Sequence, residues 1–138
     1  MEITLPAQPK DEDFEVLKRG LNSFNETFTG DLAREKISSF VKDELGQVMG
    51  GVLCEIKWGW LYVEGLWVNE SLRGNDWGSK LLNTVEGYAL SKGVSNFRLE
   101  TTSFQALGFY KKMGYATFGE LNNFPPGYVS YFLKKQIH

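Results

Sequence analysis

The chain has 138 residues and a net charge of -2, from 15 basic and 17 acidic side chains: enough for one domain with a real core, without the basic footprint of a nucleic-acid binder. Its single cysteine, Cys54, and single histidine, His138, leave no internal disulfide, no zinc cluster and no Ser-His-Asp or Cys-His arrangement. Residues 1–6 carry no basic segment followed by an apolar run, and no run approaches membrane-spanning length, so a soluble cytoplasmic protein with no membrane partner is expected.

Residues 11–28 place Phe14, Leu17, Leu21, Phe24 and Phe28 at three- and four-residue spacings behind an acidic first turn, which predicts a helix with one apolar face. Alternation over 36–43, a turn at 44–47 and a run over 48–58 predict a hairpin. Trp58-Gly59-Trp60 marks a second turn, and 61–68 a third strand. Trp77, Leu81, Val85 and Tyr88 form a helical stripe closed by Lys92-Gly93. A strand at 97–101 follows, then a helix capped by Ser103 and running to Met113, and strands at 116–121 and 129–137. The expected order is α, βββ, α, β, α, ββ within a single domain, residues 1–138. Cys54 falls in an apolar strand pattern and reads as a small buried hydrophobe rather than a nucleophile.

The most informative stretch is Arg73-Gly74-Asn75-Asp76-Trp77-Gly78-Ser79, entered from a strand and left through a helix. Backbone N–H groups in such a turn converge, with the positive end of a helix dipole behind them, and this suits a phosphate. Ser79-Lys80 has the wrong order and spacing for a Gly-Lys-Ser nucleotide loop. The spacing Arg73, two residues, Asp76, one residue, Gly78 resembles the acyl-CoA motif of the GNAT superfamily of N-acyltransferases, which favours glycine where Asp76 stands. Independently, Ala106-Leu107-Gly108-Phe109-Tyr110 through Gly114-Tyr115 resembles a later helix of that family, in the right order.

The resemblance implies an α/β (α+β) GNAT fold: a mixed, mostly antiparallel central sheet, splayed at the acyl-CoA site and flanked by helices. It implies acetyl-CoA as co-substrate, no metal, and direct attack by a primary amine in a ternary complex. Arg73, Gly74, Asn75, Asp76, Trp77, Gly78 and Ser79 would hold the pyrophosphate, and the backbone of Leu66, Trp67 and Val68 the pantetheine arm. Tyr110 would protonate the leaving thiolate, since a phenol with pKa of about 10 carries its proton at neutral pH. Glu64 or Tyr62 would relay the amine's proton through water, Glu64 being the one assigned as base, with Glu100 a further candidate. Read from the residues alone, Tyr110 also fits a packing role and Glu64 a solvated strand position. Tyr62, expected on the face of Glu64 by the strand period of two, Phe28, Phe124 and Tyr128 are acceptor-wall or core residues. Asp76 suits a helix N-cap, and Trp77 a core anchor. The acceptor is a small-molecule or peptide amine, with no nucleic acid, and the protein a monomer or homodimer. A catalytically weak GNAT-fold module that senses acyl-CoA or binds a partner is the alternative, resting on Asp76.

Overall fold

A computed structural model describes residues 1–138, which fall into two compact units, Met1–Leu32 and Ala33–His138. The first holds helix α1 (Asp11–Thr29), with Asp11, Glu12 and Asp13 in its first turn. Phe24 and Phe28, one helical turn apart, meet edge to face at 5.4 Å. Gly30 ends the helix at φ 69°, its N–H bonded to the Glu26 carbonyl. No helix is long and apolar enough to cross a membrane.

The second unit is a six-stranded mixed sheet with helices. Strands β1 (Glu35–Lys42), β2 (Val48–Lys57) and β3 (Trp60–Val68) form an antiparallel meander. A 3-10 turn (Glu70–Leu72) and helix α2 (Trp77–Ser91) cross over to β4 (Asn96–Thr102), which runs parallel to β3. Helix α3 (Leu107–Lys112), β5 (Ala116–Asn122) and β6 (Val129–Gln136) complete the order β1-β2-β3-β4-β6-β5. The mixed, mostly antiparallel sheet is as expected.

One face of this sheet is the core. Val52, Cys54, Leu61, Val63, Phe97, Leu99 and Leu133 meet Leu81, Leu82, Val85 and Ala89 of α2. Each fully buried aliphatic side chain contributes about 1.5–3 kcal/mol. Glu86, buried among them, accepts from the Tyr115 hydroxyl at 2.7 Å and from Lys135 Nζ at 2.9 Å, so its charge is compensated.

Two irregularities shape the rest. β3 carries a bulge: Leu53 pairs with Gly65 and Cys54 with Val63, leaving Glu64 as the extra residue. The bulge inverts the side-chain parity, so Leu61 and Val63 before it and Leu66 and Val68 after it pack on the same core. Parallel pairing of β3 with β4 stops at Val63–Leu99, and beyond that point the two strands part.

Two expectations fail here. Ser103 does not cap α3, which begins only at Leu107. The Gln105 side chain instead holds residues 101–106 as a turn, accepting from the Thr102 N–H at 2.9 Å, while Ser103 Oγ accepts from the Val129 N–H. Trp77 is not a core anchor: it is partly exposed, with Lys80 Nζ 4.5 Å from its ring centroid.

Candidate active site

Where β3 and β4 separate, a groove of about 650 Å³ opens. Its walls are Val63 to Val68 of β3, the loop into α2, Glu100 and Thr101 at the end of β4, and Phe109 and Tyr110 of α3. The β4-side edge of β3 past Val63 has no strand partner, so its N–H and C=O groups there, apart from the Val68 carbonyl, are open to a ligand. A second close approach fixes this wall: a Cβ on Gly50 would lie 3.0 Å from the Trp67 carbonyl oxygen and 3.3 Å from Val68 Cα. Only glycine fits there without displacing the strand. A glycine in mid-strand is the signal that sequence reading missed.

The loop provides the second element. Asn69 starts it, its side chain accepting from the Ser71 N–H at 2.9 Å. Gly74 at φ 85° and Asp76 at φ 61° turn the backbone into α2. The N–H groups from Gly74 through Ser79 have no hydrogen-bond partner in the chain; the first satisfied one is that of Lys80, bonded to the Asp76 carbonyl at 3.0 Å. No acidic residue stands in the first turn of α2, and the dipole there equals about half a positive charge. Those free donors fit a pyrophosphate. Asp76 stands at the cap position but makes no capping hydrogen bond, because its backbone is left-handed rather than extended. The residue lines the groove. Arg73 also lines the groove, its Nε donating to the Val68 carbonyl at 3.3 Å, and Asn75 does not, its amide turned to the Leu72 carbonyl.

Tyr110 is buried in α3 yet reaches the groove, and its hydroxyl has no protein hydrogen-bond partner. Burial pushes its phenol up to about 12, with a smaller contribution from Cys54, so it carries its proton at any physiological pH. Phe109 packs beside it at 5.2 Å and also reaches Gly78, where a Cβ would sit 3.4 Å from the Phe109 ring. Cys54 is buried and its thiol is held at about 12 by desolvation first, which makes it inert as expected.

The remaining expected residues divide. Glu64, exposed on the bulge, lines the groove, as do Leu66, Trp67, Val68, Gly74, Trp77, Gly78 and Ser79. Tyr62 does not: it lies before the point where β3 and β4 part and lines a separate cavity, while its hydroxyl donates to Glu100 Oε1 at 3.2 Å. Burial and then the Glu100 carboxylate raise its pKa. Tyr128 stands outside the groove but packs on Phe104, which lines it, at 4.9 Å. Phe124 lies outside it, its carbonyl accepting from Ser130 Oγ. Phe28 belongs to the α1 unit.

Comparison with known proteins agrees with this geometry. The model of the acetyltransferase (GNAT) family matches residues 4–115. The blasticidin-S acetyltransferase of Streptomyces morookaense is 35% identical over 104 residues, 75% of this chain and 76% of that protein. The IAA acetyltransferase of Azospirillum brasilense is 30% identical over 110 residues, 77% and 72% of the two chains. A crystal structure of an acetyltransferase from Bacillus cereus superposes with a TM-score of 0.87 at 33% identity, covering 97% of this chain and 98% of that one. With its loop of free donors and its parted strands, the chain belongs to the GNAT family of acetyltransferases and is an acyltransferase whose co-substrate is acetyl-CoA.

Proposed function

We propose that the chain, acting as one functional domain in the cytoplasm, moves an acetyl group from acetyl-CoA to the primary amine of a small molecule by direct attack in a ternary complex. The observation that carries this reading is the meeting of three features in one groove: free N–H groups at the start of α2, the open edge of β3, and the unpartnered Tyr110 hydroxyl. The blasticidin-S acetyltransferase relative favours a small-molecule acceptor over a protein.

Acetyl-CoA supplies the activated acyl group. The N–H groups of Gly74–Ser79 hold its pyrophosphate, with Arg73 alongside, and the edge of Leu66, Trp67 and Val68 holds the pantetheine arm and polarises the carbonyl. Positioning of this kind makes the attack effectively unimolecular, the largest contribution a groove without imidazole has to offer. Tyr110 donates its hydrogen bond to the departing sulfur. Its phenol at about 12 is a weaker acid than an alkyl thiol of about 8.5, so it keeps its own proton and stabilises the departing thiolate as a hydrogen-bond donor, while the attacking amine must give up one proton. Glu64, on the bulge at the mouth of the groove, receives that proton through water.

The test is thiol release from acetyl-CoA with a panel of small amines, polyamines and peptides. Acceptor-dependent release with a small amine, abolished or cut by Tyr110→Phe, is the expected result. Release with peptides alone would replace the small-molecule acceptor, and no release with any amine would refute acetyl transfer.

A further inference from the structure

Behind Tyr62, on the sheet face opposite α2, lies a second cavity of about 490 Å³, large enough for a small organic ligand. Its lining is cationic and aromatic in alternation. Arg98 stacks on Tyr62 at 4.1 Å, Lys57 lies 4.6 Å from the Trp58 ring, and Lys134 5.9 Å from that of Phe118. None of the three cations forms a salt bridge, in a chain whose net charge is -2. The β-sheet register gathers them: Tyr62 pairs with Arg98, Arg98 with Lys134, and Lys57 sits at the end of the β2–β3 ladder.

This cavity meets the active groove at one hydrogen bond. Tyr62 lines the cavity and Glu100 lines the groove, and the Tyr62 hydroxyl donates to the Glu100 carboxylate across 3.2 Å. The two regions differ in their charged residues: the groove is lined by Glu64, Asp76 and Glu100 with Arg73, and the cavity by Arg98, Lys57 and Lys134 with no carboxylate among its lining. An ammonium is drawn to the first and repelled from the second, and a carboxylate the reverse.

Building on the acetyl-transfer reading above, we propose that this cavity is an acceptor subsite, and that the acceptor is an amine carrying an anionic group across an aromatic spacer. The anion is held by Arg98, Lys57 and Lys134, and the spacer lies against the ring-lined wall. The amine then points past Tyr62 toward the groove. Arg98 suits this role because its planar fork binds a carboxylate through two parallel hydrogen bonds.

Two arms test the subsite. In the first, the intact chain without acetyl-CoA is titrated with para-toluate and with its uncharged amide while tryptophan fluorescence is followed, since Trp58 lines the cavity. Saturable binding of the carboxylate alone, weakened about tenfold in Arg98→Gln and in Lys134→Gln, is expected. In the second, kcat/KM is compared for para-(aminomethyl)benzoate and benzylamine. The wild type favours the carboxylated amine, and Arg98→Gln cuts that ratio about tenfold, chiefly through KM. Equal binding of acid and amide, or binding unaffected by both variants, overturns the subsite. So does a wild type that acetylates both amines equally well. If no amine is acetylated but toluate binding depends on Arg98, the transfer reading fails and the anion cavity stands.

Discussion

Asp76 offers the sharpest test of where the pyrophosphate sits. The residue holds φ 61°, ψ 19° at the entrance to α2 and lines the groove beside the free N–H groups of the loop. Two separate effects follow from substitution. Relief of the left-handed backbone by glycine gains up to about 1 kcal/mol, offset by the greater freedom of glycine in the unfolded chain, so stability changes by less than about 1 kcal/mol. Removal of the charge acts on binding: for a separation set at about 6 Å, one carboxylate against one phosphate charge costs about 0.7 kcal/mol at the dielectric of water and about 3 kcal/mol at an effective value of 20. For a groove open to solvent and screened by salt, about 1 kcal/mol is the expected middle, a gain of about fivefold in affinity. Asp76→Asn isolates the charge, because asparagine tolerates the same backbone region, and Asp76→Gly adds the backbone relief. Calorimetric titration with acetyl-CoA should show both variants binding more tightly, with a gain that shrinks as salt is raised. Weaker binding in Asp76→Asn at low salt would refute an anion at this loop.

Four further outcomes follow. Tyr110→Phe should lower kcat by about 10²–10³-fold, the range for a lost hydrogen-bond donor to developing charge, with little change in acetyl-CoA affinity; because the hydroxyl has no protein partner, the unfolding free energy in urea should stay within about 1 kcal/mol of wild type. Gly50→Ala should push on Trp67 and Val68, costing about 1–3 kcal/mol in urea unfolding and weakening acetyl-CoA binding in calorimetry. Lys135→Ala leaves the buried Glu86 carboxylate with Tyr115 alone and should cost about 2–3 kcal/mol in the same unfolding assay, below the fully buried range because Lys135 is 21% exposed. Cys54, held up from its ordinary 9.0 to about 12, should resist thiol reagents until the chain unfolds. Because the folded chain keeps this proton when the unfolded one loses it, the contribution is full below pH 9 and is lost as pH rises toward about 12; Cys54→Val should flatten that part of the stability profile.

Much of the fold was legible because long periodic segments dominate this chain. The order of helices and strands, and the place of the loop after the third strand, follow from the stripe Trp77, Leu81, Val85 and from alternation in β2 and β3. Tyr62 falls outside the groove because period two fixes only the face a residue takes; that β3 and β4 part just past Val63, so that the groove opens beyond Tyr62, depends on pairing that the alternation does not show. Ser103 looked like a cap because serine often is one. The Gln105 side chain competes for the same turn through a bond to Thr102 N–H that spacing does not reveal. Asp76 was legible as a terminus residue but not as a left-handed one, since the choice belongs to the loop as a whole. The cavity holding Arg98 and Lys134 was invisible because parallel and antiparallel pairing bring together residues far apart in sequence.

Direct transfer from acetyl-CoA to an amine in the groove between β3 and β4 is the central proposal. Rapid mixing of enzyme with acetyl-CoA, with and without an accepted amine, while free thiol is followed, tests this most directly. No thiol should appear without amine, and with amine its release should match the N-acetylated product from the first turnover, slowed in Tyr110→Phe. A burst of thiol before any amine is added, stoichiometric with enzyme, would mean a covalent acyl-enzyme and would contradict the mechanism.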